Sequence, residues 1–371
     1  MSEKNINLKP DHPESAPMIP KKEVPVTQKG TQNNAAAIEI VRGSLTTEFT
    51  AEDYKADFYG ELDPDRAKEM YGIFSEMEKS HAAKIDLRPF IHGTEKYTVE
   101  QISLLENYAI YYFFLKNVIP TILKENPDDH LNVLDVGSGP TIYQFILMSA
   151  LAGKIMPTEF DESNREVLKK WLTSGQEGWG SYLECLSQGI GESTSGITLE
   201  DDVRRRIDQF SASPDQIDAY LRQITVPPVA VDVFKKNLEL PEEYHPELIN
   251  LGREGGKYLL TSFFCVESAF TQDRARWQTG IENLANQLLP GGYLIMAAIT
   301  GSDWYRDGIA KIPAVNVDGG DIAIELRNNS FEIISTLDMT GETEEEAYAH
   351  GRGSEYSGYS GMSFILAKKK N

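Results

Sequence analysis

Short apolar runs alternate with amphipathic stretches through the central and C-terminal parts of the chain. The runs have the length of strands, and most are bounded by Gly, Pro or acidic residues. They predict seven strands, over Asn132–Val136, Lys154–Phe160, Val229–Phe234, Lys257–Phe264, Tyr293–Thr300, Phe331–Met339 and Met362–Lys368. Helical spacing between them predicts helices over Thr141–Leu151, Ser163–Trp171 and Gln272–Leu288. This alternation predicts an α/β fold, with a mostly parallel sheet and helices on both faces.

The remaining segments suggest how the chain is organised around this sheet. Residues 1–45 are polar and rich in Lys, Pro and Asn, so we expect a flexible tail. Residues 46–371 are then a single domain, whose part 46–125 is helical and ends with a helix over Val99–Leu123 that Pro120 ends or kinks. Residues 173–225 are an insertion, with helices around Leu199–Phe210 and Pro214–Gln223, and residues 341–361 are a Gly-rich loop.

Charge and cysteine content limit the classes of function. The 371-residue chain has a formal net charge of -21, which disfavours binding to nucleic acid. The two cysteines and the scattered histidines lack the spacing of a metal site, so no metal is expected. No apolar run is long enough for a membrane span and Met1–Pro20 has no apolar signal core, so a cytoplasmic location is the expectation.

The first predicted strand runs into a glycine turn, Gly137-Ser138-Gly139. Glycine at this place permits positive φ and lets a ligand approach the main chain. A dinucleotide fingerprint would have a third glycine, where Ile142 and Tyr143 stand instead. The turn therefore suits a nucleoside without a pyrophosphate better than NAD.

Acidic residues end the next two predicted strands. Glu159 follows the second, where a carboxylate can accept hydrogen bonds from both ribose hydroxyls. Asp232 lies near the end of the third, suitably placed for the amino group of adenine, with the backbone N–H of Val233 beside it. Three such signals at consecutive strand ends indicate a nucleoside site more strongly than any of them alone.

The run Asp135–Gln144, with its Gly-Ser-Gly-Pro-Thr-Ile-Tyr-Gln core, resembles the first motif of the small-amine methyltransferases. This family includes nicotinamide, phenylethanolamine and indolethylamine N-methyltransferases. Further similarities follow in chain order, at Asp53-Tyr54, Phe58-Tyr59, Asn164, Trp171-Leu172, Val231–Val233, Cys265–Glu267, Leu289–Leu294 and Trp304-Tyr305. The resemblance extends to a bacterial type of member, such as the N-methyltransferase of guanitoxin biosynthesis.

The resemblance implies a Rossmann-like class I methyltransferase fold, with an antiparallel C-terminal strand and an N-terminal helical lid. It implies S-adenosylmethionine as cofactor and a small amine as acceptor, in a monomer or weak homo-oligomer. The residues it assigns to cofactor binding are Tyr54, Tyr59, Gly137, Ser138, Gly139, Thr141, Tyr143, Glu159, Asn164, Asp232 and Val233. Tyr54 and Tyr59 would belong to the lid.

A second group of residues is expected to bind the amine acceptor. The resemblance places Glu267 near the amine, and Asp303 is a second candidate carboxylate for catalysis. Trp304 and Tyr305 are candidate walls of the acceptor pocket, because an aromatic face attracts a cation. Two alternatives stay open: a catalytically silent nucleoside-binding protein on the same fold, and an NAD-dependent oxidoreductase.

Overall fold

The computed structural model describes residues 62–81, 84–91, 99–126, 130–175, 179–185, 213–240, 258–269, 271–307, 310–351, 356 and 358–371. The helices are α1 (Pro64–His81), α2 (Arg88–Ile91), α3 (Val99–Phe113), α4 (Ile119–Glu125), α5 (Tyr143–Met148), α6 (Glu162–Ser174), α7 (Pro214–Ile224), α8 (Arg274–Asn286), α9 (Gly319–Asn328) and α10 (Glu344–Ala349). The strands are β1 (Lys84–Asp86), β2 (Leu131–Val136), β3 (Ala152–Thr158), β4 (Tyr258–Phe263), β5 (Tyr293–Thr300), β6 (Trp304–Asp307), β7 (Ala310–Pro313), β8 (Phe331–Thr340) and β9 (Gly361–Lys369). The predicted helix Leu199–Phe210 lies outside the described residues.

The main sheet has seven strands in the order β1-β8-β9-β5-β4-β2-β3. Every neighbouring pair is parallel except the two made by β9, which runs antiparallel to both β5 and β8. β6 and β7 form a separate hairpin. The predicted mostly parallel sheet with an antiparallel C-terminal strand is confirmed. The strand order changes direction between β2 and β4, because β3 follows β2 on one side and β5 follows β4 on the other. Ligands of open α/β sheets bind beyond the carboxyl ends of the strands at such a point.

The predicted strand Val229–Phe234 is wrong, and the short β1 completes the sheet instead. The segment lies beside β3, but it makes only isolated parallel bridges, Thr225 to Ile155 and Val229 to Thr158. Pro227 and Pro228 separate the two bridges, and proline has no N–H to continue a ladder. After Val229 the chain turns instead of extending.

The predicted helix Val99–Leu123 is present, with an irregularity in its middle. Five residues of π-helix, Phe114–Val118, join α3 to α4. Pro120 explains the change, because its ring has no N–H for the carbonyl of Lys116 and collides with it in a regular α-helix. The wider π turn accommodates the proline without ending the helix. The Gly-rich segment 341–361 also contains a helix, α10, with a capping box between Thr343 and Glu346.

The sheet buries apolar side chains on both faces. On β5, Ile295, Ala297 and Ile299 belong to the apolar cluster that includes side chains of α3 and α4. The alternate residues Leu294, Met296 and Ala298 belong to the cluster that includes side chains of α8 and α9. This period of two requires a strand covered on both sides and explains the continuous apolar run. Among the described residues, no helix is both long and apolar enough to cross a membrane.

Candidate active site

The glycine turn after β2 has the backbone that its sequence predicts. Gly137 and Gly139 have φ of 76° and 61°, in the left-handed region that favours glycine. The N–H groups of Gly137 and Ser138 both donate to the carbonyl of Thr158 at 2.9 Å, which ties the turn to the end of β3. A Cβ at Gly137 would lie 2.2 Å from Cys265 Sγ, whereas one at Gly139 would meet no heavy atom of the described residues within 4 Å. Cys265 therefore packs against Gly137, and none of the described residues blocks a ligand at Gly139.

Buried polar side chains hold this turn from beneath. Gln144 Nε2 donates to the carbonyl of Ser138 at 2.8 Å, and the Thr141 hydroxyl donates to the same carbonyl at 3.3 Å. Asp135 accepts from the Thr261 hydroxyl at 2.5 Å, and burial raises the pKa of its carboxyl. Thr141 therefore supports the turn, and Asp135 and Gln144 are supporting residues that the predicted site omits although both lie within the quoted motif.

Glu159 links the end of β3 to the turn. Its Oε2 accepts from the N–H of Gly139 and its Oε1 from the N–H of Asp161, both at 2.8 Å. Burial raises the pKa of this carboxyl, and these backbone donors with the Asn164 side chain oppose the rise. Each oxygen has one backbone donor and retains further acceptor capacity, which suits a ligand with two neighbouring hydroxyls.

Asn164 lies in the first turn of α6, whose N-cap is Asp161. Its Oδ1 is buried and has no hydrogen-bond partner within the part of the chain that the structure describes. A buried unpaired oxygen costs about 1–3 kcal/mol, so such an atom next to Glu159 is suited to a ligand donor.

Asp232 and Val233 lie on the turn that follows the second bridge to β3. The N–H of Glu159 donates to the carbonyl of Val229 at 2.9 Å, so this turn runs beside the glycine turn. Asp232 Oδ1 accepts from the N–H of Phe234 at 2.9 Å, and the Val233 carbonyl accepts from Asn283 Nδ2 at 3.0 Å. The Asp232 side chain and the Val233 carbonyl, which belong to the predicted adenine-binding pair, therefore also stabilise the turn on which they lie.

Phe160 is a residue of this edge that the predicted site omits. It follows Glu159 directly and is 41% exposed, although it is a large aromatic residue. A partly exposed aromatic ring beside the buried Glu159 carboxyl is of a type on which a nucleobase can stack. The available signal was an aromatic residue directly after an acidic strand end.

Glu267 lies just beyond β4 and is fully buried, at 0% exposure. Its Oε1 accepts from the N–H of Ile299 at 3.1 Å, whereas its Oε2 has no partner among the described residues. Burial raises the pKa of this carboxyl to about 8. Burial raises the pKa of the Cys265 thiol, and Glu159 and Glu267 raise it further. Cys265 packs against Gly137, so both carboxyls lie near the underside of the glycine turn.

Asp303, Trp304 and Tyr305, at the start of the β6–β7 hairpin, make contacts within the protein. Asp303 is exposed, and its backbone carbonyl accepts from Gln272 Nε2 at 2.8 Å and from the N–H of Ala314 at 2.9 Å. Lys311 Nζ lies 3.7 Å from the centroid of the Trp304 ring, so a cation of the chain itself already covers this aromatic surface. Tyr305 packs against the apolar cluster of α3.

Four further residues of the predicted site are Ser138, Tyr143, Tyr54 and Tyr59. Ser138 and Tyr143 are buried at the turn and the start of α5, and the Tyr143 ring stacks on Phe263 at 6.1 Å. Tyr54 and Tyr59 lie outside the described residues. In the described part of the chain, no group of three or more His, Cys, Asp or Glu side chains is arranged to hold a metal ion.

A second buried carboxyl, Glu106 on α3, makes the stability of the fold sensitive to pH. Burial raises the pKa of Glu106 to about 8, as it does for Glu267, against 4.5 without burial. The folded protein therefore holds these two protons more tightly than the unfolded chain. Their contribution to stability is complete below about pH 4.5 and is lost as the pH rises through about 8.

We expect this contribution to reach a few kcal/mol for each group. Urea unfolding of the wild type and of a Glu106→Gln/Glu267→Gln double variant, from about pH 5 to about pH 9, measures it. The free energy of unfolding of the double variant, relative to that of the wild type, should increase as the pH rises. A difference that is independent of pH would contradict the assignment.

The sheet order, the antiparallel β9 and the glycine turn bonded to an acidic strand end define a Rossmann-like protein of the methyltransferase class. Residues 76–370 match the model of the NNMT/PNMT/TEMT family, which is well over half of the chain, and the protein belongs to that family.

Known relatives agree with this membership. Phenylethanolamine N-methyltransferase of Macaca mulatta is 26% identical over 208 residues, which are 54% of this chain and 62% of that protein. Nicotinamide N-methyltransferase of Sus scrofa is 22% identical over 210 residues, 55% of this chain and 69% of that protein. The chain thus spans about three fifths of the length of the phenylethanolamine enzyme that it matches.

A solved structure of a SAM-dependent methyltransferase from Methanosarcina mazei is similar at a TM-score of 0.38 and 12% identity, over 67% of this chain and 97% of that chain. The fold assignment rests on the strand order and the family match, since this score is low.

Proposed function

We propose that the protein transfers a methyl group from S-adenosylmethionine to the nitrogen of a small amine. The methyltransferase class and its cofactor follow from the family, and the amine acceptor is the finer step. The matched relatives are named as N-methyltransferases of phenylethanolamine and of nicotinamide, which supports nitrogen as the acceptor atom.

The residues of the carboxyl edge fit the cofactor. Glu159 would accept from the ribose hydroxyls, and Asn164 Oδ1 beside it is a buried acceptor without a partner in the described part of the chain. None of the described residues blocks the approach of a ligand to the main chain at Gly139, and the adenine would lie near the partly exposed Phe160. Asp232 and Val233 would bind the edge of the base. When bound, the cofactor supplies an electrophilic methyl group on a sulfonium centre.

The observation that carries the amine assignment is the buried Oε2 of Glu267, which has no partner among the described residues. Glu267 lies near Cys265, which packs against Gly137. An ammonium group that donates to this oxygen would satisfy it, and water exclusion makes the pairing strong. A protonated amine has no lone pair, so its proton must leave before or during transfer. In this proposal Glu267 takes that proton in its deprotonated form, and alignment of the nitrogen with the C–S bond can contribute roughly 7–11 kcal/mol.

Asp303 remains the second candidate for catalysis. Because its side chain is exposed, an ion pair with the substrate there would be weak, about 0–1 kcal/mol. Trp304 and Tyr305 remain candidate pocket walls, although Lys311 already lies over the Trp304 ring.

Incubation with labelled S-adenosylmethionine and a panel of small amines tests the proposal. Labelled N-methyl product supports it. Binding of S-adenosylhomocysteine without product across a wide panel would instead favour a silent nucleoside-binding protein. Calorimetry with S-adenosylhomocysteine and NAD separates both from an oxidoreductase.

We expect Glu159→Gln to weaken S-adenosylhomocysteine binding by about 10- to 100-fold, because a neutral amide accepts more weakly from the ribose hydroxyls. Calorimetry measures the affinity. Glu162→Gln is the matched control, because Glu162 lies three residues away and is exposed. Equal affinities in the Glu159→Gln variant and the control would exclude Glu159 from the nucleoside site.

A further inference from the structure

Glu106 is a buried carboxyl that the proposed chemistry does not use. It lies on α3, is 9% exposed, and accepts a hydrogen bond from the Tyr359 hydroxyl at 2.8 Å. Within the described residues no Lys, Arg or His forms an ion pair with it, and its pKa is set by burial and Tyr359 alone. Burial keeps this carboxyl protonated below about pH 8, and a cation bound beside it would favour the charged form.

The chain places Glu106 at the same edge of the sheet as Glu267. Glu267 is bonded to the N–H of Ile299, which pairs with Met362 across β5 and β9. Tyr359 lies just before this pairing begins, where the N–H of Ser360 donates to the carbonyl of Thr300. The hydroxyl of Tyr359 thus connects Glu106 to the strand ends that position Glu267.

The residues that bond the two carboxyls pack in one apolar cluster. Ile299 and Tyr359 belong to the apolar cluster of α3, together with Leu105 and Tyr108, which flank Glu106. Tyr143, which begins the helix after the glycine turn, belongs to the same cluster. Glu106 therefore lies beside this cluster, and Glu267, whose Oε2 has no partner among the described residues, is bonded to one of its members.

We propose that Glu106, held by Tyr359, binds a second cationic nitrogen group of the acceptor, so that the preferred acceptors are amines with two positive charges. This inference rests on the proposed amine methylation. In it, Glu267 receives the nitrogen to be methylated, and Glu106 receives the distant cation. Neither carboxyl forms an ion pair with a Lys, Arg or His of the described residues, and a ligand with two cationic groups would pair with both in their charged forms.

The test compares alkyl monoamines with α,ω-diamines of the same chain length as methyl acceptors. In the wild type, kcat/KM should be about 10- to 100-fold higher for the best diamine than for its monoamine, as expected for a charged hydrogen bond. Glu106→Gln retains the shape and an acceptor for Tyr359, and it should lower kcat/KM for the diamine to about the value for the monoamine. Glu282→Gln, an exposed position on α8, is the control variant.

Two results would overturn the inference: a wild type without preference for diamines, or a Glu106→Gln variant that loses activity equally on both substrates. The latter would show a structural role only. If monoamines are methylated and diamines are not preferred, the proposed function stands and this inference alone fails. If no amine is methylated, calorimetry compares diamine binding to the wild type and to Glu106→Gln in the presence of S-adenosylhomocysteine. The inference is rejected if the wild type binds no diamine or binds it no more tightly than the variant does.

Discussion

Replacing Glu267 by Gln is expected to lower kcat/KM for the amine acceptor by about 100-fold, or more if Glu267 also takes the proton. The amide retains the volume and can still accept from the N–H of Ile299, but it cannot carry the charge that pairs with an ammonium group. S-adenosylhomocysteine affinity should change little, because Glu267 faces the acceptor in this proposal. Steady-state kinetics with calorimetry on the same variant separates the two effects.

The pH profile gives a second measurement on the same residue. The pKa of Glu267 is raised to about 8, so its carboxyl is largely protonated below that pH. Wild-type kcat/KM should therefore rise with pH up to about 8, and this part of the rise should be absent in Glu267→Gln. Unchanged kinetics in the variant would show that the unpaired oxygen does not meet the acceptor.

Gly137→Ala is expected to destabilise the protein by about 2–5 kcal/mol and to abolish S-adenosylhomocysteine binding. Two costs add: a φ of 76° is unfavourable for alanine, and the new Cβ would lie 2.2 Å from Cys265 Sγ. Relief of this contact must displace either Cys265 or the turn whose N–H groups bind Thr158. Thermal unfolding and calorimetry measure the two effects.

Gly291→Ala is a matched control for the backbone cost alone. Gly291 has a φ of 89°, and a Cβ there would meet no heavy atom within 4 Å. The control should lose about 1–2 kcal/mol and keep its ligand affinity. If the two variants were equally stable and both bound S-adenosylhomocysteine, the tight packing of Gly137 on Cys265 would be excluded.

The strands could be predicted where burial dictates the sequence directly. Tyr293–Thr300 is covered on both faces, so its residues are almost all apolar and its predicted bounds agree with β5. Lys84–Asp86 could not be predicted, because its three residues have no periodicity and become a strand only through pairing with β8. Val229–Phe234 has the composition of a strand, but its pairing ends where the chain turns beside Glu159.

Some features of the candidate site could likewise be predicted from the sequence, and others could not. By itself, the sequence determined the glycine turn and the acidic strand end at Glu159, since local backbone requirements are written in consecutive residues, and its resemblance to the family predicted a role for Glu267. Only the tertiary structure decided that Lys311 lies over the Trp304 ring, that Glu267 Oε2 has no partner among the described residues, and that Tyr359 bonds Glu106 across 253 positions of the chain. Burial and pairing between distant residues depend on how the sheet and α3 pack, and no local pattern of residues encodes them.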